Sequence, residues 1–294
     1  MLDCNHRHCV FTLPDELWPL MKENRNLINV ASNEILAVVR DVFKHQLRGI
    51  GITPGIISVL HTFGEDLKFY VHFHCLVTCG GLNNEGDWIQ MKFFFYEGLR
   101  KVWQYHVLTA MKEALPKNSE NSRLINKLFK DHPNGFYVYA KDEVRHGKGL
   151  LKYIARYVRH PAIAQSRIVS FDGETVVFRC KKDEEKKERL IGMRVHEFLL
   201  ALLQHIPPKG FQLVRHLGLY ANKSRQAYST AISMFLKRAN VLQKKLFHLT
   251  PRCPECGCIM ELIDIKQPTD PPPHLILSSY EGQLRLSLLN NLRP

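Results

Sequence analysis

From Lys68 to Thr78 apolar and polar positions alternate, with Val71, Phe73, Cys75 and Val77 on one side and His72, His74, Leu76 and Thr78 on the other. A period of two is that of a β-strand, where residues two apart share a face. The predicted strand has an apolar underside that can pack on a core and two imidazoles side by side above it. A second strand is predicted over residues 56–62, and Gly64-Glu65-Asp66 reads as the turn of an antiparallel pair. Gly80-Gly81 is expected to end the histidine strand.

The same reading gives the other elements. A first strand is expected over residues 8–13, stopped by Pro14, and a mostly helical stretch from Pro14 towards Leu47, with acidic residues in its first turn. Helices are predicted over residues 92–115, 122–130, 150–160 and 195–206, and from Asn222 to about Phe247. Strands are predicted over residues 135–140 and 212–216, and a hairpin around Asp172-Gly173 with arms at residues 168–171 and 175–179. The mixed charges of residues 181–189 read as a solvated loop. Strands and helices mixed, with neighbouring strands antiparallel, make the fold class α+β.

Composition narrows the partners. The 294 residues are 45% hydrophobic, which suits a globular protein. No apolar run is long enough to span a bilayer, and the first residues lack a signal-peptide pattern, so the expectation is a soluble, cytoplasmic protein. Lys and Arg number 41 against 28 Asp and Glu, a net charge of +13 and a pI near 9.4. That excess favours a polyanion such as nucleic acid. The eight cysteines show no regular framework, so reduced thiols and a metal site are expected rather than disulfides.

Two constellations carry candidate chemistry. His72 and His74 are placed to grip one divalent ion, although two histidines on an ordinary half-exposed strand would look the same. Between residues 150 and 160, Leu150, Leu151, Ile154 and Val158 form one helical stripe, and Tyr153, Arg156, Tyr157 and His160 the other. Two phenols then stand one turn apart among cations. A tyrosine hydroxyl can attack a phosphodiester if a metal offsets the developing charge and basic side chains hold the backbone.

His72-Phe73-His74 resembles the histidine–hydrophobic–histidine motif of the HUH endonucleases, and Tyr153-Ile154-Ala155-Arg156-Tyr157 resembles the paired tyrosines of their two-tyrosine branch. The likeness is greatest to the rolling-circle insertion-sequence transposases and extends to the flanks at residues 61–69, 162–168, 208–212 and 215–218. The resemblance implies a five-stranded antiparallel sheet with flanking helices, the histidine strand central and the tyrosine helix packed across it. It implies metal-dependent cleavage and rejoining of single-stranded DNA at transposon ends, through 5′-phosphotyrosine intermediates on Tyr153 and Tyr157. On this reading residues 1–180 form the HUH catalytic domain, residues 181–249 a C-terminal helical extension and residues 250–294 a Cys-containing, looser tail. Lys148, Lys152, Arg156 and Arg159 are the expected DNA-backbone contacts. The protein would be nucleoid-associated.

A third ligand beside His72 and His74 is expected at Asp66, with Glu65 and Gln165 as alternatives, and the metal is expected to be Mg²⁺ or Mn²⁺. Cys253 and Cys256 have the shape of half a zinc knuckle, with Cys258 and His274 as possible completing ligands. The family also carries a Cys-rich zinc module ahead of the first strand, where this chain has Cys4, His6, His8 and Cys9 at tight spacing. Two other classes stay open: a histidine-metal hydrolase that activates water against phosphodiesters, and a DNA-binding remnant without catalysis.

Overall fold

The computed structural model describes residues 2, 4–91, 94–140, 143–144, 161–181 and 188–222, all within one compact unit, Met1–Ala239. Among the described residues its centre is a seven-stranded antiparallel sheet, where the resemblance implied five strands. Strands β1 (His6–Thr12), β2 (Thr53–Phe63), β3 (Phe69–Leu82) and β5 (Val138–Tyr139), with β10 (Val214–Gly218), follow the order β10-β2-β3-β1-β5. Strands β4 (Trp88–Gln90) and β6 (Glu143–Val144) pair with β3 and β1. The histidine strand β3 is therefore central, as the resemblance implied.

The alternation of β3 sorts its side chains as the sequence predicted. Val71, Phe73, Cys75 and Val77 enter the main core. They meet Cys9 and Phe11 of β1, Ile56 and Leu60 of β2, and one face each of α2 (Asn26–Gln46), α3 (Tyr96–Ala114) and α4 (Ser119–Asp131). Trp103 of α3 is fully buried there, and its indole N–H donates to the Thr12 carbonyl at 2.7 Å. A core of this kind stabilises by about 25 cal/mol for each Å² of apolar surface removed from water. Cys9 and Cys75 oppose each other across the sheet. Burial pushes the Cys75 thiol up to about 12, which keeps it protonated and unreactive.

A second, smaller core lies under a three-stranded antiparallel sheet of β7 (Ile168–Phe171), β8 (Thr175–Lys181) and β9 (Glu188–Arg194), with helix α5 (Val195–Leu203). The β7–β8 hairpin turns at Asp172-Gly173 as predicted, where the Asp172 carboxylate accepts the backbone N–H groups of Glu174 and Thr175. Val176, Phe178 and Phe198 bury Leu67, which comes from the turn between β2 and β3. Gln204 and His205 also donate to the Leu67 carbonyl, each at 3.0 Å. Arg167 binds Glu65 through both its carbonyl and its carboxylate. The hairpin that carries the histidines is thus anchored at its tip by the second sheet and its helix.

Several expectations are corrected. The helical stretch after Pro14 is broken: a short 3-10 turn (Asp15–Leu17) and α1 (Trp18–Glu23) precede α2, and Asn24 accepts the N–H of Asn26 at the junction. Gly80 and Gly81 do not end β3. The strand runs on to Leu82, and a Cβ on Gly81 would lie 2.5 Å from the Thr53 carbonyl oxygen, so glycine is there for close approach of backbones. The charge run expected to be a loop over residues 181–189 is strand at both ends, where Lys181 of β8 pairs with Glu188 of β9; residues 182–187 are not described. The helix predicted from Lys92 begins at Tyr96, and the strand predicted over residues 135–140 is only Val138–Tyr139. The predicted helices at residues 150–160 and beyond Asn222 lie outside the described residues.

Candidate metal centre

The strand pair β2–β3 positions the centre. Directly opposed residues of an antiparallel pair share a face, and His61 opposes His72. His74 follows on the same face. The three imidazoles each offer one nitrogen, and these atoms lie within 4.8 Å of one another. Ring centroids are 5.4 Å apart for His61 and His72, 4.6 Å for His61 and His74 and 4.9 Å for His72 and His74. The geometry is that of three nitrogens able to reach one ion.

A β-bulge brings His61 to this face. Phe63 opposes Phe69 and His61 opposes His72, so Thr62 alone faces the two residues Tyr70 and Val71. Had the register of Phe63 and Phe69 continued unbroken, His61 would oppose Val71 and turn into the core. A bulge re-aims side chains in this way and is common next to functional sites.

Hydrogen bonds hold two of the rings and, at His72, assign the tautomer. Nδ1 of His72 lies 3.0 Å from the Tyr70 carbonyl. A carbonyl only accepts, so Nδ1 carries the proton and Nε2 is the nitrogen with a lone pair to offer an ion. Nδ1 of His74 lies 3.0 Å from Nε2 of His8, whose ring stacks on it with centroids 5.3 Å apart. His8 therefore orients His74, as supporting partners do around metal-bound histidines. Burial first, and then the neighbouring His61, lowers the His72 pKa to about 4, against the raising effect of the Tyr70 hydrogen bond. His72 is thus neutral, the form that binds metal, over the whole physiological range.

Asp66 is not in this group. It sits in the turn beyond the bulge, where it accepts the Lys68 N–H at 3.3 Å and pairs with the Lys68 ammonium at 3.1 Å and the Arg189 guanidinium at 3.9 Å. Glu65 is held by Arg167, and Gln165 belongs to a 3-10 turn, Gln165–Arg167. Sequence reasoning sought a third ligand in the turn and did not group His61, which it had already placed on the partner strand, with His72 and His74. Its signal was the pairing of two strands that each carry histidine. Cys9 points into the main core while His8 faces the metal group, so the Cys4, His6, His8 and Cys9 set does not converge. His6 instead contacts the Tyr220 hydroxyl at 2.6 Å and donates from Nδ1 to the Cys4 carbonyl at 2.8 Å. Tyr153, Tyr157, Lys148, Lys152, Arg156 and Arg159, with Cys253 and Cys256, lie outside the described residues.

Among the described residues no helix is long and apolar enough to cross a membrane. No solved structure matches the chain. Two curated proteins are similar over most of it. The transposase for insertion sequence element IS801, from Pseudomonas savastanoi pv. phaseolicola, is 29% identical over 283 residues, 88% of this chain and 67% of that protein. A protein named "Putative transposase y4qJ", from Sinorhizobium fredii, is 27% identical over 245 residues, 77% of this chain and 61% of that protein. The chain thus spans about two thirds of the length of these relatives. The family Y2_Tnp, described as "Putative transposase", matches residues 55–227, a span that holds all three histidines and both tyrosines of the sequence motifs. The chain belongs to the Y2_Tnp family of transposases.

Proposed function

We propose that this chain cleaves and rejoins single-stranded DNA at the ends of a mobile element by metal-dependent transesterification. The observation that carries this reading is the convergence of His61, His72 and His74 on the central strand pair of the sheet in a chain of a transposase family. The donor set fits a divalent ion: three nitrogens, with His72 neutral and His72 and His74 oriented by Tyr70 and His8. An all-imidazole set suits Mn²⁺ better than Mg²⁺, which prefers oxygen. An ion bound there supplies Lewis-acid stabilisation of charge developing on a phosphate oxygen.

Tyr153 and Tyr157 are the proposed nucleophiles. A tyrosine Oη bonds to phosphorus, the bond from phosphorus to the 3′ oxygen breaks, and the phenol's proton ends on the released 3′-hydroxyl. The 5′-phosphate stays on the tyrosine. One phosphodiester replaces another, so rejoining needs no high-energy cofactor, and a second tyrosine permits a second exchange. Lys148, Lys152, Arg156 and Arg159 would hold the DNA backbone in place.

The test is a single-stranded oligonucleotide incubated with the protein and Mn²⁺ or Mg²⁺ and run under denaturing conditions. A covalent adduct is expected. Tyr→Phe at Tyr153 or Tyr157 should leave a partial or altered reaction, and the double variant no adduct. Cleavage at the normal rate by the double variant would overturn the reading in favour of hydrolysis by activated water.

A further inference from the structure

One row of residues crosses the sheet through the metal centre and ends on an exposed aromatic ring. His61 of β2 opposes His72 of β3, and His72 opposes Thr12 of β1. Thr12 then donates twice to the Tyr137 carbonyl, from its backbone N–H at 3.1 Å and its hydroxyl at 2.8 Å. Neighbouring strands are about 4.8 Å apart, so the Tyr137 backbone lies only about 10 Å from that of His72.

Phe136 and Val138 on either side are buried in the main core, which forces Tyr137 outward; it is 53% exposed. The segment is firmly seated, because Gly135, with φ +80°, lets it press against α3, where a Cβ would lie 2.3 Å from the Arg100 carbonyl carbon. Arg100 places its guanidinium 4.7 Å from the Tyr137 ring centre and 5.6 Å from that of Tyr96, itself 39% exposed. The result is two open aromatic rings bridged by one cation at the edge of the sheet.

We infer that Tyr137, Arg100 and Tyr96 form a stacking platform for single-stranded DNA, holding bases that flank the phosphate at the metal centre. The inference rests on the proposed function. Unpaired bases stack on aromatic rings whatever their sequence, and an adjacent guanidinium adds cation–π attraction and meets the phosphate charge. Paired bases in a duplex have no open faces to offer. The platform therefore selects single strands, and its place in the histidine row fixes the strand's direction of approach. The net charge of +13 suits the same polyanion.

The test is binding of a fluorescently labelled single-stranded oligonucleotide across a salt series, with 2-aminopurine placed at successive positions. Tyr137→Ala should weaken binding on the order of 10-fold and abolish the quenching of one 2-aminopurine. It should leave the salt slope unchanged, because a ring releases no counterions. Tyr137→Phe should bind like the wild type. Arg100→Gln should flatten the slope by about 0.7, the value for one lost phosphate contact on a single strand. A wild type that binds single strands, with Tyr137→Ala equal to it, overturns this inference alone. So does an equal loss on duplex DNA. A wild type that binds no single strand overturns both this inference and the function it rests on.

Discussion

In metal-free protein the folded state should lose stability as pH falls from about 6.5 to about 4, and His72 is the main cause. The ring is 8% exposed. Burial, with His61 beside it, lowers its pKa from 6.5 to about 4. The unfolded chain takes up the proton near pH 6.5; the folded chain resists until about pH 4. Between these values the unfolded state binds more protons, so stability rises with pH through the window. Above it both states are neutral and the full stability is present. The difference is a factor of ~300 in proton affinity, or about 3 kcal/mol lost by pH 4. That is a large share of a total stability of about 5–15 kcal/mol. His205, half-buried and also lowered chiefly by burial, adds a smaller effect of the same sign. Urea unfolding followed by tryptophan fluorescence in EDTA, from pH 7 down to pH 4, measures the slope. His72→Asn cannot take a proton there and should show a much shallower dependence, whatever its stability at neutral pH. Equal slopes in the two proteins would refute the reasoning.

Two further outcomes concern the ligands. His61→Ala should reduce Mn²⁺ affinity in calorimetry by more than the ~10–100-fold typical of losing a supporting partner, while Asp66→Asn leaves it unchanged; the reverse result would restore Asp66 as the ligand. His8→Ala should weaken Mn²⁺ binding about 10–100-fold by freeing the His74 ring to rotate. His8→Gln, which keeps a hydrogen-bonding group at that place, should recover most of the loss, and failure to recover would mean that His8 acts only by packing.

The alternation of residues 71–78 was enough to place His72 and His74 together on one face and four apolar side chains in the core, because a strand's period of two is a local property of the backbone. The turn at Gly64, the hairpin at Asp172-Gly173 and the α+β class were legible for the same reason: each depends on residues close in sequence. The charge run hid only the start of β9, Glu188 and Arg189, which pairing with Lys181 and Cys180 makes strand. The glycines of β3 looked like a terminus, since the backbones that crowd them, Ile89 at Gly80 and Thr53 at Gly81, belong to the two strands that pair with β3 there.

The third histidine shows the limit most clearly. The sequence alone put His61 on a strand that pairs with the histidine strand, but a strand has two faces, and a one-residue slip exchanges them. The extra residue on β3 between Phe69 and His72 decided that His61 faces His72 and not Val71. The orientation of His74 likewise depends on His8, from a third strand. Local patterning determined which residue types stood ready for metal chemistry. Register and bulge, which arise only when strands from different parts of the chain pair, decided which of them meet.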